Sequence, residues 1–393
     1  MEHSSHAPVA GVVAALVGFT SSFAVVLAGL TAVGATPAEA GSGLAVLCLV
    51  QGVGVLWLTL RHRTPLLLAW STPGAAMLAA TGAVAGGWPA AIGAFLLTGA
   101  LILLTGVWSR LGALIAAIPP ALAQAMLAGV VLTLCLAPVH GLSAEPWAVG
   151  PIVLCWLVAL RLAKRWAVPV AFAATLVVVG IDVARAGGLS GSLLPTLDWT
   201  VPTLTWPAVL GIALPLYVVT MAGQNVPGTA VMASYGYRVP WRETMTVTGL
   251  GTVAGATFGG HAVNLAAITA SMTASPDVHP DPRLRWRAAH AAGWTYLVLA
   301  VLSTPLTTFV SAAPPDVVGT VAGLALLATL ASALHTAMGD AARREAAAIT
   351  FVVAAAGGAF LGIGAAFWAL AAGLGVDLLL RHHRRAEAPG SDA

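Results

Sequence analysis

The sequence predicts an all-α integral membrane protein with fourteen transmembrane segments arranged as a seven-plus-seven inverted repeat. Hydrophobic residues make up 59% of its 393 residues and charged residues only 8%, against roughly 25% charged residues in a soluble domain. Apolar stretches that suit a bilayer alternate with short polar breaks. The basic residues fall in alternate breaks, which is typical of a multi-pass membrane protein.

Hydropathy divides the chain into fourteen segments. They cover residues 9–33, 42–60, 65–84, 89–108, 119–137, 147–160, 167–184, 207–224, 243–258, 259–274, 289–311, 316–335, 346–358 and 361–380. A cytoplasmic N-terminus then places every Lys and Arg except Arg185 in a cytoplasmic break. Residues 1–7 contain no basic region of a signal peptide. We therefore expect a bacterial inner-membrane protein with both termini in the cytoplasm.

Composition and motifs exclude several classes of function. A formal net charge of +3 is too small and too scattered for nucleic-acid binding. The three cysteines, Cys48, Cys135 and Cys155, lie in apolar stretches without C-x-x-C spacing, so neither disulfides nor a metal site is indicated. The sequence lacks H-E-x-x-H, G-x-S-x-G and a Gly-rich phosphate loop. We expect no enzyme activity and no cofactor.

Weak internal similarity supports the inverted repeat. The stretch SFAVVLAG at 22–29 resembles LYVVTMAG at 216–223, with an offset of 194 residues. Two Pro-Pro pairs, at 119–120 and 314–315, are 195 residues apart, as are Asp182 and Asp377. Because seven is odd, the second repeat must enter the membrane inverted. Coincidence in a chain rich in Gly, Ala and Val is the alternative explanation.

Segments three and ten are predicted to be broken. Ser71 and Thr72 are good helix N-caps, and Pro73 suits the first helical turn, so Leu66 to Ser71 should be extended before a helix. In segment ten, glycines 259 and 260 disfavour helix. We expect its helix to run from about His261 to about Thr273.

Inversion of the repeats would bring these two half-helices together from opposite sides of the membrane. Each helix start presents unpaired N–H groups and about half a positive charge. Two of them facing one cavity favour an anion without any cationic side chain. The alternative is that Pro73 only kinks a continuous helix, which membrane helices tolerate.

Three motifs resemble the benzoate:proton symporter family: AWSTPGAA at 69–76, VTMAGQNVPG at 219–228 and FGGHAVNLAAIT at 258–269. The resemblance covers the whole chain and extends to the architecture of uracil and xanthine permeases and sulfate-type exchangers. It implies a core domain at 9–110 and 207–311, a gate domain at 111–200 and 312–382, and a cytoplasmic tail at 383–393. It also implies an elevator-like movement of the core against the gate, in a homodimer embedded in lipid.

Uracil-type permeases carry an acidic residue in segment eight and another at the start of segment ten. The corresponding positions here hold Gln224 and His261. This departure makes a simple transfer of their proton coupling doubtful, but it suits a carboxylate substrate, which an acidic side chain would repel.

The expected substrate-binding residues follow from these motifs. His261 is an ionisable group at membrane depth, and it is predicted to donate a hydrogen bond to the carboxylate and to take up the coupled proton. The alternative is a neutral histidine hydrogen-bonded to a backbone carbonyl. Phe23 and Tyr217, related by the repeat, are predicted to flank an aromatic ring. Polar side chains and N–H groups for the carboxylate are expected from Ser71, Thr72, Gly74, Gln224, Asn225, Gly260 and Asn264.

Other functions remain open on the sequence alone. The same scaffold could carry a nucleobase or another small anion, although the missing acidic residues argue against a nucleobase. Broken helices also line anion channels, but an inverted repeat around a midplane site favours alternating access.

Overall fold

The chain is largely helical in a computed structural model, which describes residues 6–189 and 193–387. Within these ranges eight helices are long and apolar enough to cross a membrane. The helices are α1 (His6–Ala32), α2 (Pro37–His62), α3 (Thr72–Thr81), α4 (Gly87–Val107), α5 (Ser109–Ala116), α6 (Pro120–Ala144), α7 (Pro146–Leu162), α8 (Ala167–Arg185), α9 (Trp206–Ala208), α10 (Leu214–Thr220), α11 (Val226–Ser234), α12 (Trp241–Ala256), α13 (Ser271–Ala274), α14 (Trp286–Val310), α15 (Pro315–Gly339), α16 (Arg344–Ala356) and α17 (Ala365–Glu387). Each of the fourteen predicted segments contains a helix.

Two short antiparallel ladders interrupt the helices. Strand β1 (Leu68–Trp70) pairs with β2 (Val263–Leu265), and their central residues Ala69 and Asn264 face each other. Strands β3 (Ala359–Phe360) and β4 (Ile363–Gly364) form a small hairpin before α17. The first ladder joins segments three and ten, which are far apart in sequence, and it positions the candidate site.

The break in segment three is confirmed. Strand β1 is followed by α3, and the Ser71 side chain accepts a hydrogen bond from the Gly74 N–H at the start of that helix. The continuous kinked helix, which was the alternative, is excluded by this arrangement.

Segment ten is also broken, but the predicted start of its helix near His261 is wrong. The backbone is extended through β2, and α13 begins only at Ser271. Side chains supply the reason, because the Thr252 hydroxyl accepts the Val263 N–H at 3.0 Å and Asn225 Oδ1 accepts the Leu265 N–H at 2.8 Å. These bonds and the pairing with β1 satisfy backbone groups that a helix would otherwise satisfy.

The segment from Trp206 to Ser234 contains two wide turns. Val209–Ala213 and Met221–Asn225 form π-helical turns on either side of α10. Pro227, two residues after the second turn, has no N–H to continue the ordinary helical pattern. Such π-turns are frequent at functional sites, and this one contains Gln224 and Asn225.

Small residues let the long helices pack closely. Helix α6 packs against α15 and α16, while α2 packs against α14 and α4 against α12. At Gly249 an added Cβ would lie 2.6 Å from the Leu103 backbone nitrogen, and at Gly129 it would lie 2.8 Å from the Ala355 nitrogen. Glycine at such positions allows the backbones to approach, as is usual in membrane bundles.

Candidate functional site

A cavity of about 290 Å³ lies where the two broken segments meet. One wall comes from β1 and the start of α3, through Ala69, Trp70 and Thr72. A second wall is formed by residues 266–269, which lie between β2 and α13, and by Met272 of α13. Helices α1, α2, α8, α14 and α15, the turn before α8 and the π-turn of Gln224 complete the lining. Both broken segments therefore face one space.

Ser71 fixes the start of α3 at the edge of this cavity. Its side chain is fully buried, accepts the Gly74 N–H at 3.1 Å and accepts the Thr220 hydroxyl at 2.8 Å. The Ser71 N–H donates to the Ala262 carbonyl of the other broken segment at 2.9 Å. Thr72, the next residue, is thereby held facing the cavity.

His261 lies behind the cavity wall rather than in it. Its ring is fully buried, and Nε2 lies 3.0 Å from the Ser71 carbonyl oxygen. Because a carbonyl can only accept, Nε2 carries the hydrogen, and Nδ1 is the lone-pair nitrogen of the neutral ring. Within the described part of the chain Nδ1 has no hydrogen-bond partner. His261 is thus linked to the cavity through Ser71.

The three amide side chains of this region divide into two groups. Gln224 lines the cavity. Asn225 and Asn264 are fully buried and hold β2: Asn225 accepts the Leu265 N–H, and Asn264 Nδ2 donates to the Leu265 carbonyl at 2.9 Å. Their side chains therefore fix the backbone next to the cavity.

Four other predicted residues do not line this cavity in the structure. The buried Phe23 ring packs against Phe19, which in turn packs against Trp70 of the wall. The Tyr217 hydroxyl pairs with Thr105, and Tyr217 lines a separate apolar cavity of about 300 Å³. Gly260 donates its N–H to the Gly255 carbonyl, and the Gly74 N–H is committed to Ser71.

Gln51 lines the cavity but was missed by sequence reasoning. Its side chain is 1% exposed, and its Oε1 is buried without a partner among the described residues. Tyr296, on the neighbouring α14, lines the same cavity. A glutamine within an apolar helix was the available signal, because amide groups in membrane helices need partners.

Arg165 corrects the expectation of a cavity without cationic side chains. It belongs to the short turn Lys164–Trp166 between α7 and α8, which the sequence identified only as a polar break. In the structure its side chain lines the cavity. A long arginine can reach from a helix end towards a buried space, so its position in a loop did not exclude it.

A buried arginine fixes the loop that follows α13. Arg285 is 5% exposed and donates to the carbonyls of Ala274 and His279 at 3.0 and 2.7 Å. The Tyr237 hydroxyl donates a hydrogen bond to the Pro282 carbonyl in the same loop. Burial raises the pKa of Tyr237, and the charge of Arg285 partly offsets this rise. The loop at 275–285 is therefore held firmly beside α13.

The fold is similar to those of solved transporters. The transmembrane domain of the cyanobacterial bicarbonate transporter BicA matches with a TM-score of 0.58 and 14% identity, over 96% of this chain and 97% of that one. Murine Slc26a9, an anion transporter in the inward-facing state, matches with a TM-score of 0.65 and 11% identity, over 96% of this chain and 68% of that one. At such identities the likeness shows the fold alone.

The apolar bundle and the cavity between two broken segments define a multi-pass membrane transport protein. Residues 2–379 match the family model described as BenE, benzoate membrane transport protein, and the chain belongs to that family. It is 39% identical to inner membrane protein YdcO of Escherichia coli, over 93% of each chain. It is 30% identical to the benzoate membrane transport protein of Acinetobacter baylyi, over 81% of each chain. The chain is therefore a transport protein and not an enzyme.

Proposed function

We propose that this protein imports benzoate together with a proton by alternating access. The carrying observation is the cavity between the two broken segments, which combines polar groups for a carboxylate with apolar walls. Thr72 and Gln224 line it together with Val17 and Val168. A site for an aromatic carboxylate needs both a few polar anchors and a predominantly apolar lining. Membership of the benzoate transport family supports this choice of substrate.

Within this proposal the substrate carboxylate binds beside Thr72 and Gln224. Ser71, Gly74 and Gly260 hold the backbone around that position, and Asn225 and Asn264 hold the facing strand. Phe23 supports the Trp70 wall through Phe19, and Tyr217 ties segment eight to α4 through Thr105. In this proposal Thr72 and Gln224 contact the ligand, and the other residues shape the pocket.

His261 is the proposed proton-coupling residue. Protonation of Nδ1 would place a positive charge one hydrogen bond away from Ser71, which caps the helix that begins beside the cavity. A carboxylate bound at Thr72 would stabilise that charge, and the charge would in turn favour carboxylate binding. Such mutual stabilisation is what coupling requires, because linkage between two ligands is reciprocal.

The proposed architecture is fourteen spans in two inverted repeats of seven, with both termini in the cytoplasm of a bacterial cell. Helix packing supports it: exchange of the repeats converts the pair α2–α14 into α12–α4, and it maps α6–α15 onto itself. The antiparallel ladder β1–β2 also maps onto itself. A two-fold axis in the membrane plane produces these equivalences.

We further propose an elevator-like movement of a core domain at 9–110 and 207–311 against a gate domain at 111–200 and 312–382. The cavity lies where the two meet, because Gln51 and Thr72 belong to the core while Arg165 and Ala325 belong to the gate. A homodimer, with the gate domains in contact, would keep the gate fixed in the bilayer while the core moves.

Uptake of radiolabelled benzoate into proteoliposomes tests the function. We expect accumulation beyond the passive entry of benzoic acid into protein-free liposomes when the outside is made more acidic than the inside, and equilibration only without that gradient. A channel would equilibrate benzoate but would not accumulate it through proton coupling. Uptake of uracil or sulfate, with no uptake of benzoate, would overturn the proposed substrate.

A further inference from the structure

A second cavity adjoins the first one. It has a volume of about 540 Å³, and we call it the vestibule. Arg165 and Met272 line both spaces, so the vestibule begins where the central cavity ends. Its other lining residues include His6, Ser275 and Asp277.

The vestibule opens on the face of the molecule where the chain begins. Its lining comes from the first turns of α1, the turn between α7 and α8, the end of α11 and the loop after α13. In the proposed topology all four elements lie on the cytoplasmic side. A substrate that leaves the central cavity in this conformation passes through the vestibule.

Among the described residues that line the two cavities, Arg165 is the one Arg or Lys. Within residues 6–189 and 193–387 it forms no ion pair. Arginine remains charged at every physiological pH and can hold a carboxylate with two parallel hydrogen bonds. Its guanidinium is therefore available to an anion on either side of the boundary.

We propose that Arg165 forms a second carboxylate-binding site at the boundary between the central cavity and the vestibule. The inference rests on the proposed function, because it takes the substrate to be a carboxylate. The substrate passes from Thr72 and Gln224 to Arg165 and then to solvent, and an anion arriving from the same face follows the reverse path. The site is used only from the face on which the N-terminus lies.

The other charged and titratable groups of the vestibule affect how strongly this site binds an anion. Asp277 contributes a carboxylate, 3.5 Å from the Ser275 hydroxyl, and it opposes an anion. His6, at the start of α1, is a second titratable group of the vestibule lining. Arg165 therefore makes binding favourable, whereas Asp277 keeps it weak enough for release, as a transport pathway requires.

Exchange kinetics in proteoliposomes of known orientation test the site. The half-saturating concentration of benzoate is measured separately at each membrane face for the wild type, Arg165→Gln, Arg165→Lys and Lys164→Gln. Lys164 is the matched control, because it is the adjacent exposed cation and lines neither cavity. Thermal unfolding of each variant checks that folding is unchanged.

We expect Arg165→Gln to raise the half-saturating concentration about tenfold at the N-terminal face, the loss typical of one charge-assisted hydrogen bond. The value at the opposite face should not change, Arg165→Lys should lie in between, and Lys164→Gln should match the wild type. Asp277→Asn should lower the value at the N-terminal face.

Equal effects at both faces, or an equal loss in Lys164→Gln, would show a general effect of surface charge and would overturn the second site. Wild-type kinetics in Arg165→Gln would overturn it as well, while leaving the proposed function intact. If the wild type itself exchanges no benzoate, the proposed function fails and this inference fails with it.

Discussion

His261 shows how far a residue type can predict a role. A histidine in an apolar segment was visible in the sequence, with a hydrogen bond to a backbone carbonyl as the alternative to direct substrate contact. The structure places its Nε2 against the Ser71 carbonyl and leaves Nδ1 without a partner among the described residues. The sequence thus singled out the residue, whereas the fold places it behind Ser71 and outside the cavity lining in this conformation.

Replacement His261→Gln is expected to separate transport from proton coupling. Glutamine can still donate an N–H to the Ser71 carbonyl, but it cannot take up a proton. Benzoate exchange across proteoliposomes at equal pH should therefore persist, while accumulation driven by an imposed pH gradient is lost. His290→Gln, on α14 and outside the cavity lining, is the control. Gradient-driven accumulation by His261→Gln would exclude this role.

Replacement of Gln51 is expected to preserve or raise thermal stability but to weaken substrate binding. An unpaired buried carbonyl costs about 1–3 kcal/mol, so Gln51→Leu should keep or raise the thermal stability of the substrate-free protein. If the amide contacts the substrate, the same change should raise the half-saturating benzoate concentration severalfold. Gln124→Leu, on α6 and away from the central cavity, should leave that concentration unchanged. Unaltered benzoate kinetics in Gln51→Leu would remove Gln51 from the site.

At the scale of elements, the two broken segments differ in where along the chain the residues that determine their shape lie. The Ser-Thr-Pro sequence at 71–73 contains the cap and the helix start, so segment three was predicted with the correct boundary. Segment ten is shaped by Thr252 and Asn225, whose side chains bind its backbone from other helices. No pattern within residues 257–274 contains those partners, and the helix start was accordingly misplaced by about ten residues.

The cap of α3 should contribute measurably to stability. Ser71→Ala removes the acceptor for both the Gly74 N–H and the Thr220 hydroxyl, and loss of an N-cap costs about 1 kcal/mol. We expect the midpoint of thermal unfolding in detergent to fall by roughly 1–2 °C, with a larger relative loss of benzoate uptake. Ser234→Ala, at an exposed serine on α11, should change neither. Equal stability of both variants would mean that Ser71 does not cap α3 in solution.

At the scale of the whole molecule, the sequence predicted the segments and a cavity between the two broken ones, but not the full lining of that cavity. Hydropathy and basic residues define where each helix lies along the chain, because both signals are local. The central cavity depends on residues from elements that are far apart in sequence and meet only after folding, including Gln51 on α2 and Arg165 before α8. An arginine in a polar break gave no indication that it lines a cavity.

Relative movement of core and gate can be tested with disulfides in a variant that lacks Cys48, Cys135 and Cys155. Thr81 in the proposed core and Gly364 in the proposed gate are in contact, since a Cβ at 364 would lie 3.3 Å from the Thr81 hydroxyl oxygen. Gly41 and Thr307 lie within the core, and a Cβ at 41 would lie 3.6 Å from the Thr307 Cβ, a separation that suits a disulfide.

If the core moves as one body, oxidation of the pair Thr81→Cys and Gly364→Cys should stop benzoate exchange, and reduction should restore it. Oxidation of Gly41→Cys and Thr307→Cys should leave exchange largely intact. Full exchange through the oxidised core–gate pair, with cross-linking verified by mass spectrometry, would exclude the elevator movement, because a covalent link across the boundary cannot coexist with sliding of several ångströms.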